Sequence, residues 1–100
     1  VIATIKYELI YILNPTLPTE ELDVLTQRFS ETAQTGGAIV EQVTRWDLRR
    51  LAYPIKGHHE GYYVIMALQA EPPAIAEVER NLTLNESVLR HMVVRPDDKE

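Results

Sequence analysis

AIVEQVTRWDLRRLAYPIKGHHEGYYVIMALQA, residues 38–70, decides the fold. Its first part, 38–55, is strand-like throughout. Ile39, Val43, Trp46, Leu48, Leu51, Tyr53 and Ile55 do not keep one parity, so a bulge or bend is expected near Trp46-Asp47. Pro54 marks an edge or the end of pairing. Gly57-His58-His59-Glu60-Gly61 reads as a hairpin loop, with glycine at both ends for the positive φ such turns demand. Tyr62 to Ala70, YYVIMALQA, is the returning strand.

Outward from this hairpin the pattern changes to helix on both sides. Upstream, Pro18 suits a first turn and Thr19 can cap, with Glu20, Glu21 and Asp23 near the positive end of the helix dipole. Leu22, Leu25, Phe29 and Ala33 form one apolar stripe, with Gln27, Arg28 and Glu31 off it, and Gly36-Gly37 ends the helix. Downstream, Pro72-Pro73 opens a second helix with Ile75, Val78 and Leu82 as its stripe. Beyond the helices lie two more strands. In TIKYELIYIL, residues 4–13, Ile5, Tyr7, Leu9 and Tyr11 alternate with Lys6, Glu8, Ile10 and Ile12. Its far end is apolar on both faces, as a central strand would be, and Asn14-Pro15 stops it. After the loop Asn85-Glu86-Ser87, Val88 to Val94 is the last strand, and 96–100 form a short polar, flexible tail. The order β-α-β-β-α-β predicts an α+β, ferredoxin-like domain over 1–100: a four-stranded antiparallel sheet, both helices on one face and the other face open.

One hundred residues leave room for a single domain. The 45% hydrophobic and 25% charged residues are globular, not disordered, proportions. Without cysteine there is no disulfide, thiolate zinc site, iron–sulfur cluster or Cys nucleophile. No apolar run nears the ~20 residues of a membrane helix and no signal peptide opens the chain, which fits a cytoplasmic setting. Val1 in place of an initiator Met points to processing, trimming or a fragment.

Chemistry finds little purchase. His58-His59-Glu60 and His91 could meet as a metal or acid–base site only by tertiary accident; a solvated loop is the plainer reading. No serine sits in a nucleophile elbow and no glycine-rich loop cradles phosphate. The expectation is a protein that is not an enzyme, with no catalytic residue, metal, cofactor or small-molecule substrate.

Charge is more telling. Net −5 argues against nucleic acid. Yet residues 45–70 are a basic island: Arg45, Arg49, Arg50 and Lys56 against Asp47 and Glu60. Over a screening length of about 8–10 Å, local sign can outweigh the total. Arginines interleaved with Trp46, Tyr53, Tyr62 and Tyr63 suit irregular RNA. They equally suit an edge strand charged against aggregation, with the aromatics as core. The aromatic RNP1 signature of an RRM is absent, so the open face is as much a candidate for protein as for stacked bases.

YELIYILNP at 7–15, GGAIVEQVTRWDLRRLAYPI at 36–55, GYYVIMAL at 61–68 and VLRHMVV at 88–94, in this order, resemble the family of the sixth protein of the small ribosomal subunit of bacteria and organelles. LRRLAYPI, a short loop and GYY are the most specific part. The resemblance implies a non-enzymatic protein of the ribosome, cytoplasmic or organellar. It implies binding to the central domain of the small-subunit rRNA together with the ribosomal protein numbered eighteen, whose basic charge would offset the acidic chain. It places rRNA contacts at Lys6, Tyr7 and Arg90, with Asn14 either there or in a turn. Arg49, Leu51, Tyr53, Pro54 and Ile55 fall at the partner-protein surface, and Arg50 turns toward RNA. Thr83, Asn85 and Leu89 stand where some members are basic. The alternative is a self-associating ferredoxin-like module whose open sheet faces pair.

Overall fold

A computed structural model describes residues 5–95, with all their side chains but those of Trp46 and Asp47. The expected tail, and any stacking role for Trp46, lie outside what is described. The elements are β1 (Ile5–Leu13), α1 (Thr19–Thr35), β2 (Ile39–Ile55), β3 (His58–Ala70), α2 (Pro72–Leu84) and β4 (Val88–Val94). They build one antiparallel sheet in the order β2-β3-β1-β4. This is the expected ferredoxin-like arrangement, and β1 is indeed central.

Strand parity sorts the two faces. Tyr7, Leu9, Tyr11 and Leu13 of β1 join Val64, Met66, Leu68 and Ala70 of β3 in the main core. Against them the helices lay their stripes, Leu22, Leu25, Phe29 and Ala33 from α1 and Ile75, Val78 and Leu82 from α2. Those stripes are the ones helical spacing picks out, because a 3.6-residue period leaves one face of each helix apolar. Tyr7 is 8% exposed, so its ring is part of this core.

The helix ends differ in detail from the sequence reading. Pro18 occupies the N-cap position itself (φ −61°, ψ 151°), and Thr19 is the first helical residue. The Pro18 carbonyl accepts from the Glu21 and Leu22 N–H groups, 3.0 and 3.1 Å away. At the other end Gly37, at φ 96°, takes the left-handed position. The Ala38 N–H then reaches back to the Ala33 carbonyl and the Gly37 N–H to that of Gln34, both at 3.0 Å.

The hairpin needs the largest correction. Only Lys56 (φ 50°) and Gly57 (φ 83°) form its turn, a two-residue connection with both φ positive, and β3 already starts at His58. His58, His59 and Glu60 are strand residues. Gly61 has no positive φ; it is glycine because a Cβ there would collide with the Ile12 side chain. Register shifts at Val40/Gln42, Arg45/Leu48 and Arg50/Ile55 bend the long β2, the middle one spanning the expected site. Thus bent, the far end of the hairpin reaches the open face, where Leu51 packs with Ile12 and Leu89 in a small second cluster, joined by Ile55 and Tyr63.

Candidate interaction surface

The sheet face away from the helices is built in rows across the strands. Gln69 lies beside Lys6 and Ile39; Ala67 beside Glu8 and Gln42; Ile65 beside Ile10 and Thr44; Tyr63 beside Ile12. Met92 and Arg90 extend the last two rows on β4. The centre of the face is therefore apolar, and its ends are polar.

Where the bent hairpin rises over this face it encloses an apolar groove of about 270 Å³. Ile10, Ile65 and Met92 line its sheet side, and Tyr53 and Arg90 its rim. Arg90 donates from Nη1 to the Tyr53 hydroxyl, and its guanidinium carbon stands 6.0 Å from the centre of the Tyr53 ring. Tyr53 is 54% exposed and Met92 46% exposed. Large, half-desolvated side chains of this kind gain most when a second surface covers them.

Apart from Tyr7, which lies in the main core, the sequence-predicted residues divide into three sets. Lys6, Arg49, Arg50, Tyr53, Pro54 and Arg90 are exposed. Arg50 lies opposite Glu60, and Arg49 opposite Gly61, across the hairpin. Leu51 and Ile55 are turned inward to the second cluster, holding the hairpin down. Asn14 is engaged locally: its Oδ1 accepts from the Thr16 N–H at 2.9 Å and the Thr16 hydroxyl at 2.7 Å. Its N–H donates to the Ser87 carbonyl at 2.8 Å, tying the end of β1 to the start of β4. That is the turn role.

The basic island is split by the fold. Arg45 points to the helix side and pairs with Asp23 of α1. Tyr62 also faces the main core, whereas Tyr63 faces the groove. Nothing in the sequence alone marks Ile10, Ile65, Met92 or Lys56 as a site residue. The nearest signal is at Ile10, where apolar residues on both faces of β1 read only as a mark of a central strand. Among the described residues, no three His, Asp or Glu come together to hold a metal, and no helix is long and apolar enough to cross a membrane.

Comparison with known proteins yields one family. The profile of the family Ribosomal protein S6 matches residues 6–95. The small ribosomal subunit protein bS6 of Streptomyces coelicolor is 44% identical over 91 residues, 91% of this chain and 95% of its own. That of Mycolicibacterium paratuberculosis is 45% identical over the same length and shares. The crystal structure of the 30S ribosomal protein S6 of Thermotoga maritima superposes with a TM-score of 0.90 at 25% identity, covering 96% of this chain and 91% of that one.

Proposed function

The chain belongs to the ribosomal protein S6 family, and from that premise we propose that it is a structural, non-enzymatic component of the small ribosomal subunit that binds the central domain of the rRNA jointly with the protein numbered eighteen. The observation that carries this reading is the adjacency of two unlike surfaces. An apolar groove on the open sheet face carries Arg90 on its rim, and the hairpin above it exposes Arg49 and Arg50.

In this reading the partner protein covers the groove, taking Ile10, Ile65 and Met92 beneath it and Arg49, Tyr53, Pro54 and Ile55 along the hairpin. Lys6, Arg50 and Arg90 stay beside it and face RNA. Tyr7, Asn14 and Leu51 shape the surface from below. A chain of net −5 attracts polyphosphate poorly on its own. A basic companion docked on the groove reverses the local sign and turns two modest patches into one composite surface.

The test is a titration of the chain with the protein-eighteen homologue of its own organism, with and without a central-domain rRNA fragment. Cooperative three-component assembly is expected, with little RNA binding by the chain alone at moderate salt. Tight RNA binding without the partner overturns the mechanism. A concentration-dependent homodimer that ignores both components favours the self-association alternative.

A further inference from the structure

Next to the groove, along β4, lies a second hollow of about 270 Å³. Leu82 and Val88 are apolar parts of its lining; Lys56, Thr83, Arg90 and His91 are the polar ones. We propose that this notch seats a phosphate of the RNA backbone, with Lys56 as its principal cation beside Arg90. The inference rests on the rRNA-binding reading above and assigns that binding a specific place.

Charge points there first. The chain carries 15 acidic against 10 Lys and Arg residues, yet among the described residues no carboxylate lines the notch. Two permanent cations and two hydrogen-bonding side chains converge on it from three separate elements: the hairpin turn, α2 and β4. Their donors are only partly engaged. The Lys56 ammonium makes one long contact, 3.4 Å to the Val88 carbonyl, and an ammonium has three hydrogens to give. Arg90 gives one N–H to the Tyr53 hydroxyl, and a guanidinium has five. Thr83 Oγ1 and His91 Nε2 lie 3.3 Å apart and complete the polar side.

The backbone supplies an independent argument. Lys56 has φ 50°, in the left-handed region where the first residue of such a turn is ordinarily Asn or Gly. A lysine held there against its preference carries its ammonium across to β4, as the contact with Val88 records. The ligand is a backbone phosphate and not an isolated small anion because the notch is open and adjoins the groove. Arg90 and His91 line both. A strand laid across the notch would abut a protein docked in the groove.

The experiment measures rRNA-fragment binding by the chain together with its partner protein, as a function of salt, for Lys56→Gln, Lys56→Gly, Lys56→Arg and Arg28→Gln. Glycine accepts φ 50° more readily than lysine, so Lys56→Gly removes the ammonium without loss of fold. Both Lys56→Gln and Lys56→Gly should weaken RNA binding about tenfold and flatten the slope of log K against log salt by about one. Partner binding without RNA should not change. Lys56→Arg should restore the slope, and Arg28→Gln, a charge lost from α1, should leave both readings as in the wild type. Wild-type affinity and slope in the two neutral variants overturn the notch while leaving the joint RNA-binding reading intact. Equal losses in Arg28→Gln also overturn it, since any cation would then serve. A wild-type pair that fails to bind the fragment overturns the joint reading and the notch with it.

Discussion

Tyr11 is wholly enclosed, and its ring meets Phe29 edge-on with centroids 5.3 Å apart. Among the described residues its hydroxyl nevertheless has no hydrogen-bond partner. The neighbouring Thr26 hydroxyl donates instead to the Leu22 carbonyl at 2.8 Å. A buried hydroxyl left unpaired costs about 1–3 kcal/mol. Tyr11→Phe should therefore stabilise the fold by about 1 kcal/mol, read as a higher urea midpoint at unchanged slope. Burial also pushes the Tyr11 phenol up from 10.0 to about 12, against the smaller opposing pull of the Arg45 charge. The unfolded chain thus ionises this group first. Its contribution is intact below pH 10 and is lost as pH rises toward 12, by about 2–3 kcal/mol in all. Tyr11→Phe should remove that part of the alkaline limb, and a limb of unchanged steepness in the variant would contradict the assignment.

Among the elements, the β2–β3 hairpin does the most to make a surface out of a fold. Its two glycines near the tip are needed for different reasons. Gly57 has open space around it but a φ of 83°, so a side chain there meets a dihedral cost of about 1–2 kcal/mol. Gly61 has an ordinary φ but no space, because Ile12 occupies the Cβ position. Gly61→Ala must push Ile12 aside where it packs with Leu51 and Leu89, at a cost of about 1–3 kcal/mol. The discriminating measurement repeats each variant in an Ile12→Ala background, which removes the Cγ2 that the new Cβ would meet. Measured against Ile12→Ala alone, Gly61→Ala should lose part of its cost in thermal stability and Gly57→Ala none. Equal recovery in both would remove the steric explanation.

For the molecule as a whole, the two sheet faces separate stability from binding. The helix-covered face holds the main core, while the open face leaves Met92 and Tyr53 half in water. Met92→Glu puts a charge at the apolar side of the groove without entering that core. It should weaken binding of the partner protein at least tenfold. The stability of the chain alone should change by no more than a surface substitution does, within about 0.5 kcal/mol. Calorimetry against the partner and a melt of the free chain read the two effects apart. Unchanged partner affinity would move the docking face elsewhere. The Arg45–Asp23 pair, with both side chains largely exposed, adds at most about 1 kcal/mol. Its greater consequence is to withdraw Arg45 from the basic island.

The element order, both helix stripes and the parity of β1 could be read from sequence because each is periodic over a few residues. Turns of 3.6 and pleats of 2 write themselves into neighbouring positions. The LRRLAYPI and GYY segments likewise marked the hairpin as the region to watch. What belonged to tertiary structure is every contact between residues far apart in the chain. Arg45 meets Asp23 across 22 positions, and Arg90 meets Tyr53 across 37. Nothing local says which cation will be consumed by an ion pair and which will be left to face a ligand. Gly61 is the same lesson in miniature: its neighbours read as a turn, but the reason for glycine is the side chain of Ile12, on a different strand. The bend that brings Lys56 beside Val88 and makes groove and notch adjoin accumulates through three register shifts along β2. Such shifts are set by how a twisted sheet closes over its own face, a property of the assembled strands together.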